Sequence, residues 1–180
     1  GTLGDYRAYI GSTTHFENGD RWVNAFNISH SDGPWKYPDN ARSIRALSRY
    51  THGSAANGFD LTAMFYRGQW RATNDQPLAA YSEGLISRYG SLDPTDGGFS
   101  ERYSLSGHYH LSRDNWKWTT SAFVAHDRLT LWNNFTHYLD DPVNGDQQQQ
   151  DETRTTLGGS SVYARQDHVG TVKTETQVGV

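Results

Sequence analysis

The feature that most constrains this chain is an alternation of side-chain character with a period of two residues, repeated along nearly its whole length. Successive side chains of a β-strand point to opposite faces, so this pattern predicts strands rather than helices. The alternation predicts eight strands, at about 5–17, 21–30, 41–52, 59–69, 100–112, 116–133, 153–165 and 171–180.

The joins between these strands are alternately short and long. In the short joins Gly, Asn and Asp favour tight turns, and these joins cover 18–20, 53–58, 113–115 and 166–170. The long joins cover 31–40, 69–99 and 137–152. In an antiparallel up-and-down meander, this order places every long loop on one side of the sheet. Outer-membrane barrels have that arrangement, whereas a β-sandwich does not require it.

None of the positions assigned to one face of the predicted strands is charged. About 37 positions share this face, and at a charged content of 20% roughly seven of them would be charged by random sorting. The charges lie on the opposite face, at Arg7, Arg21, Arg45, Arg49, Asp60, Arg102, Lys117, Arg154 and Lys173. Lipid excludes charge because an Arg or Lys at the bilayer midplane costs about 2–4 kcal/mol. The core of a β-sandwich would exclude charge too, so this face alone does not distinguish the two folds.

Composition limits the alternatives. Hydrophobic residues make up only 34% of the chain and the mean hydropathy is −0.81, yet aromatic residues reach 13%. This combination fits a transmembrane β-barrel with a polar lumen or a sugar-binding β-sandwich. The sequence has no apolar run long enough for a membrane helix. A net charge of −4 without a basic patch argues against nucleic acid as a partner.

Aromatic residues concentrate close to the short turns. Tyr and Trp at such positions are typical of the interfacial girdle of a membrane barrel, where amphipathic rings lie at headgroup level. The predicted girdle comprises Phe16, Trp22, Tyr50, Phe59, Tyr109, Trp116, Trp118 and Tyr163.

Three segments carry a family resemblance: YRGQWRATNDQP, ISRYGSLDPTDGGFSERYSLSG and LWNNFTHYLDDPVNGDQ. In this order they resemble the barrel of bacterial TonB-dependent outer-membrane receptors, over about residues 30–160. The resemblance implies a section of a 22-stranded transmembrane barrel and uptake of a scarce solute, such as an iron–siderophore chelate, energised by the TonB complex. It implies no enzymatic activity and no cofactor. Outer-membrane lipid, the chelate and TonB are the implied partners.

The sequence also departs from such receptors. We find no plug, no energy-coupling box, no signal peptide and no aromatic residue at its end. We therefore expect residues 1–180 to form part of a receptor barrel domain, with TonB acting through a plug outside this sequence. An open eight-stranded sheet would have two unpaired edges, which hydrocarbon does not tolerate.

Two groups of side chains are candidates for ligand binding. Arg45, Arg49 and Arg102 make the predicted inner face basic and would favour an anionic cargo, although pairing with acids is an equally simple role. The aromatic side chains predicted to lie in the long loops suit capture of a ligand by stacking. They include Trp35, Tyr37, Trp70 and Tyr89.

The acidic stretch HYLDDPVNGDQQQQDE, residues 137–152, lacks the ligand spacing of an EF-hand. We interpret it as the solvated tip of a long extracellular hairpin, without a metal. His108 and His110 share a face, but no third metal ligand lies near them in the sequence. A short helix is predicted after Asp75, with Asp75 as its cap and Pro77 in its first turn.

Two alternatives remain at this point. A self-contained eight-stranded outer-membrane barrel, acting as an adhesin or structural protein, would satisfy both sheet edges by closure. A secreted sugar-binding β-sandwich is supported only by the loop aromatics. The sequence lacks the motifs of serine hydrolases, zinc proteases and phosphate-binding loops, so it predicts no enzymatic activity.

Overall fold

A computed structural model describes residues 2–180, which form one antiparallel sheet of eight strands. The strands are β1 (Tyr6–His15), β2 (Arg21–Ser31), β3 (Ala41–Gly53), β4 (Asn57–Arg71), β5 (Gly97–Arg113), β6 (Trp116–Asn133), β7 (Gln148–Val169) and β8 (Val172–Gly179). A 3₁₀ turn, Thr2–Gly4, precedes them, and one short helix, α1 (Leu78–Ser82), lies between β4 and β5. In the described part of the chain, no helix is long and apolar enough to cross a membrane.

The strand order in the sheet is the same as the order in the chain, and β1 and β8 are its two edges. The prediction of an antiparallel all-β meander of eight strands is therefore confirmed. A β-sandwich needs two stacked sheets, and residues 2–180 form a single one. A closed eight-stranded barrel needs pairing between β1 and β8, whereas the described sheet is open.

Short turns and long loops alternate as predicted, so the three long loops lie at one edge of the sheet. Those loops cover residues 32–40, 72–96 and 134–147. At the opposite edge, Gly53 (φ +96°) and Gly170 (φ +63°) take the left-handed backbone conformation that tight turns require and that a side chain disfavours. We call the end of the sheet that carries the long loops the loop edge and the end that carries the short turns the turn edge. Both are formed by strand ends and differ from the edge strands β1 and β8.

The strand register is staggered in one direction across the sheet. Successive pairs place His15, the last residue of β1, level with Ser160 of β7. Ser160 lies nine residues before Val169, the last residue of β7. The shift along the strands is therefore nine residues at about 3.3 Å each, and the distance across the sheet is six strand spacings of about 4.8 Å. The two lengths are nearly equal, so the strands tilt by about 45° from the normal to a plane that contains the short turns.

Neither face of the sheet is covered by another layer. In the described part of the chain, the only buried hydrophobic residues are Ala80 and Ala125, while Ile10 is 68% exposed and Leu157 is 76% exposed. We call the face that carries Ile10 the apolar face. We call the face that carries Arg45 the polar face. A sheet with large exposed apolar side chains and no core of its own requires an apolar environment on that face.

The aromatic residues near the short turns contact one another along the turn edge. Tyr50 lies between Phe16 and Phe59, with ring centroids 6.4 Å and 6.1 Å away. Farther along the edge, Tyr109 contacts Trp118 at 5.6 Å, and Trp116 stacks on Tyr163 at 5.7 Å. Two indole N–H groups of this edge also have acceptors: Trp22 donates to Ser48 and Trp118 to Ser161, each at 2.8 Å.

A buried carboxylate, missed at the sequence level, anchors this edge. Asp20 is 2% exposed and accepts hydrogen bonds from the Tyr50 hydroxyl, from Asn18 Nδ2 at 2.9 Å and from His52 Nδ1 at 2.7 Å. The hydrogen bond from Tyr50 is the main reason that the pKa of Asp20 lies below its ordinary value. The carboxylate thereby ties the first short turn to β3.

Two sequence predictions about the loops are wrong in detail. β7 begins at Gln148, so three of the four consecutive glutamines belong to a strand and only residues 134–147 form the loop. The pattern failed there because glutamines give both faces of the strand the same polarity. Asp75 does not cap α1: Pro77 occupies the N-cap position, and no side chain caps the helix.

Candidate ligand-binding site on the polar face and in the long loops

A row of charged and aromatic side chains crosses the polar face at one register level. Its members on β3 to β7 are Arg45, Tyr66, Arg102, Asp127 and Arg154. Arg45 lies over the Tyr66 ring, with its guanidinium carbon 5.6 Å from the centroid. Arg102 Nη1 is 3.2 Å from Asp127 Oδ1. The row therefore contains three guanidinium groups and one carboxylate.

The three predicted arginines differ in their partners. Arg49 Nη2 is 3.2 Å from Asp60 Oδ1, so Arg49 and Arg102 each have an acidic partner. Arg45 donates a long hydrogen bond of 3.4 Å to Asn27 Oδ1, and no carboxylate of residues 2–180 lies within 4.0 Å of it. Of the three, Arg45 is the best placed to bind an external anion.

A cavity of about 650 Å³ opens beside Arg45. Asp5, Arg7, Tyr66 and Trp70 contribute to its lining, together with small side chains that leave the space open. A basic cavity bordered by aromatic rings has the composition of a site for an anion with an aromatic or apolar body.

Trp70 lies on the polar face, and its prediction as a loop residue is wrong. β4 continues to Arg71. The prediction ended the strand too early because the alternation of apolar and polar residues stops before the strand does. Trp70 packs over Gly98 of the neighbouring strand: a Cβ atom on Gly98 would lie 2.6 Å from Trp70 Cζ2. The glycine therefore permits the indole to lie flat against β5, where it borders the cavity.

The other predicted aromatics, Trp35, Tyr37 and Tyr89, do lie in loops, and the structure brings two of them close together. Trp35 and Tyr89 have ring centroids 6.3 Å apart, and Lys36 N donates to Tyr89 O at 2.8 Å. Lys36 also lies 5.6 Å from the Tyr37 ring. Trp35 and Tyr89 thus form one cluster between the loops 32–40 and 72–96, and Tyr37 lies in the first of these loops.

An acidic residue beneath this cluster is electrostatically perturbed. Burial raises the pKa of Asp39, and the nearby Asp32 raises it further, while a hydrogen bond from Trp35 opposes the shift. Asp39 O also accepts from Arg71 N at 2.7 Å, which connects the loop to the end of β4.

The loops 72–96 and 134–147 are joined by a buried polar cluster that sequence analysis missed. Its centre is Asn134, which is 0% exposed, with Asp96 at 1% and Asp93 at 5%. Asn134 N donates to Asp96 Oδ1 and Asn134 Nδ2 to Asp93 Oδ2, each at 2.9 Å. The side chains meet across a sequence separation of about forty residues, so no local pattern indicates the contact.

Donors surround every carboxylate oxygen of this cluster, which we call the loop hub (Asp93, Asp96 and Asn134). Thr95 N donates to Asp93 Oδ1 at 2.9 Å. Asn74 donates to Asp96 Oδ2 at 2.6 Å, and Gln147 donates to Asp96 Oδ1 at 3.0 Å. Burial raises the pKa of Asp93, but hydrogen bonds from Thr95 and Asn134 outweigh it and leave the pKa lowered. These donors occupy the positions that a cation would need, so the loop hub is a structural element.

The acids of the loop 134–147 organise its own backbone. Asp141 accepts from the backbone of Val143 and Asn144, at 3.1 Å and 2.9 Å. Asp146 accepts from Thr136 and from the backbone of Asp141. Hydrogen bonds from Asn144 to Asp141 and from Thr136 to Asp146 are the first causes that lower these two pKa values.

The histidine pair does not form a metal site in the described residues. His110 Nε2 is 2.9 Å from the Ser54 carbonyl oxygen, and His108 Nδ1 is 3.6 Å from Asp60 Oδ2. Among residues 2–180, no group of three or more His, Cys, Asp or Glu side chains is arranged to hold a metal ion.

The fold and this site define a class: an open, single-layer antiparallel sheet with one apolar face, one basic and aromatic face, and ordered loops at one edge. No protein-family model, curated protein or solved structure matches the chain.

Proposed function

We propose that this chain is part of the transmembrane barrel of a bacterial outer-membrane transport receptor of the TonB-dependent type. In this proposal the apolar face contacts lipid, the polar face lines the lumen, and the long loops are extracellular. Strands outside this sequence pair with the edges β1 and β8. Such pairing is required because hydrocarbon does not tolerate unpaired backbone groups.

The observation that carries the proposal is the different character of the two faces of one uncovered sheet. Large apolar side chains such as Ile10 and Leu157 are exposed on one face, and the other carries the Arg45 row. The strand tilt of about 45° supports the same conclusion, since membrane barrels tilt their strands by about 35–45°. Aromatic contacts along the turn edge fit a lipid–water interface.

The ligand that the polar face suits best is an anionic metal chelate of the siderophore type. The basic cavity beside Arg45 supports an anion, and Trp70 and Tyr66 supply rings for the body of the chelate. The paired rings of Trp35 and Tyr89, together with Tyr37 in the loop 32–40, provide further aromatic groups nearer the outside. Transport of this kind needs no chemical step, so we propose a receptor rather than an enzyme.

The membrane part of the proposal is tested by two arginine substitutions at adjacent positions. Ala46 lies on the apolar face and Leu47 on the polar face of β3. Ala46→Arg in the intact protein should destabilise the folded state in a bilayer by about 2–4 kcal/mol, whereas Leu47→Arg should have little effect. Folded fraction in lipid vesicles against urea is the measurement. Equal effects of the two substitutions would reject lipid contact on one face.

The transport part is tested separately by ligand uptake. Arg45, Arg49 and Arg102 are changed together to Gln in the intact receptor, and uptake of a ferric siderophore by cells is measured. We expect reduced uptake with unchanged amounts of folded protein in the outer membrane. Unchanged uptake would reject a role for these arginines in guiding an anionic cargo.

A further inference from the structure

The apolar face carries charges close to the loop edge, where β4, β5 and β6 lie side by side. The register places Arg67, Glu101 and Arg128 at one level across these strands. They share a face with Phe65, Tyr103 and His126, each two residues away along its strand. Side chains two residues apart on a strand are separated by about 7 Å.

The two guanidinium groups converge on one aromatic ring. The guanidinium carbons of Arg67 and Arg128 lie 5.1 Å and 5.9 Å from the centroid of Phe99. Arg67 Nη1 is 3.9 Å from Glu101 Oε2, which is long for an ion pair. No carboxylate of the described residues lies within 4.0 Å of Arg128.

The nearest acid on the next strand is already occupied. Asp151 accepts a hydrogen bond of 2.6 Å from Thr130 and another from Gln149. Arg67 therefore has one distant carboxylate partner, and Arg128 has none within 4.0 Å among the described residues, on the face that the proposed function turns toward lipid. Both groups retain N–H donors for an external anion.

An apolar groove begins directly beside this arginine pair. It has a volume of about 750 Å³. Its apolar lining includes Ile10, Phe26, Ala46, Phe65, Leu105 and Val124. Alanines at the centre of the groove lie between larger side chains at its sides, which leaves a depression in the surface. His126 and Tyr103 line its end toward Arg128 and Glu101.

We propose that this surface is a specific binding site for a membrane lipid whose phosphate headgroup carries a net negative charge. The phosphate lies between Arg67 and Arg128, and an acyl chain lies in the groove. Arginine suits this role because its planar fork donates two parallel hydrogen bonds to phosphate oxygens. The charge of the pair at the loop edge and the adjoining apolar groove match the two ends of one lipid. The inference rests on the proposed orientation of the apolar face toward lipid.

The test measures lipid binding to the intact protein in detergent by native mass spectrometry. Dioleoyl phosphatidic acid is compared with dioleoyl phosphatidylcholine, which has the same acyl chains but a headgroup without net charge. We expect one phosphatidic acid molecule to bind preferentially. Because hydrogen bonds to charged groups contribute about 1.5–3 kcal/mol each, the variant R67Q/R128Q should bind phosphatidic acid at least about tenfold more weakly.

Two further variants make the test specific. Arg113→Gln removes an arginine from the same face at the turn edge and should leave lipid preference unchanged. Ala63→Phe fills the groove and should weaken binding of both lipids. Equal binding of the two lipids by the unsubstituted protein, or an unchanged preference in R67Q/R128Q, would overturn the proposal.

The outcome is separable from that of the proposed function. Lipid preference is read in detergent without ligand uptake, whereas membrane contact is read from the Ala46→Arg and Leu47→Arg pair. Unequal effects in that pair, combined with equal binding of both lipids, would reject the lipid site alone. Equal effects in that pair would reject the membrane orientation itself, and the lipid site with it.

Discussion

The loop hub gives the sharpest prediction about stability. Asn134→Ala removes the side chain that donates to Asp93 Oδ2 and accepts from His137 N, each at 2.9 Å. The backbone hydrogen bond from residue 134 to Asp96 stays in place. Asp93 therefore keeps a buried oxygen without its partner, and the His137 N–H loses its acceptor.

The expected cost follows from these two groups. A buried polar group left without a partner costs about 1–3 kcal/mol, and more when it is charged. Together they should lower the free energy of opening the loops 72–96 and 134–147 by about 3 kcal/mol, since Asn134 is 0% exposed and water cannot replace it directly. A change of that size corresponds to roughly a hundredfold in the opening equilibrium.

Hydrogen exchange of the intact protein, followed by mass spectrometry, measures this opening. Amides of both loops should exchange about a hundredfold faster in Asn134→Ala, while the strands stay protected. The control is Asn144→Ala in the same loop, which removes only an exposed hydrogen bond of 3.1 Å to Asp141. If loop exchange in Asn134→Ala matched that in Asn144→Ala, the loop hub would not hold the loops together.

Three other outcomes follow from the structure. Because Asp141 and Asp146 have lowered pKa values, their stabilisation of the loop 134–147 is present above the ordinary value of 3.8 and is lost as the pH falls below it. A spin label at Val143→Cys should become more mobile over that range, and constant mobility would contradict the assignment. Gly98→Val should displace Trp70 and destabilise the protein by about 1–3 kcal/mol, as measured by urea unfolding, because its Cβ would lie 2.6 Å from the indole. Gly107→Val, whose Cβ would have its nearest neighbour at 3.7 Å, is the control, and equal stability of the two variants would refute the packing argument. Arg45→Gln should weaken titrated binding of an anionic chelate more than Arg49→Gln does, since Arg49 is paired with Asp60; the reverse order would exclude Arg45 as the principal contact.

The strands were predictable where one face is apolar and the other polar. β6 begins and ends where the alternation places it, at Trp116 and Asn133. β7 extends beyond its predicted range at both ends. At the loop edge this is because its glutamines and acids are polar on both faces, so that no period of two is visible. Periodicity therefore locates the part of a strand that borders an apolar environment and misses the part surrounded by water.

The candidate site was only partly predictable for a different reason. The sequence shows that Arg45, Arg49 and Arg102 share a face, but only the register shows that Arg49 and Arg102 have acidic partners. The loop hub joins residues from separate loops through side chains, and loop conformation leaves no periodic trace in a sequence. Trp70 was assigned to a loop because the end of β4 lacks alternation.

The strands follow one another in the sheet in the same order as in the chain, and this affects how such a sheet can change in evolution. Each interior strand pairs with its immediate sequence neighbours alone. Duplication or loss of one hairpin would therefore preserve every other pairing and return the chain to the same side, so that all remaining connections keep their orientation. The width of the sheet would change by two strands at once, which makes the hairpin, rather than the residue or the single strand, the natural unit of gain and loss in this architecture.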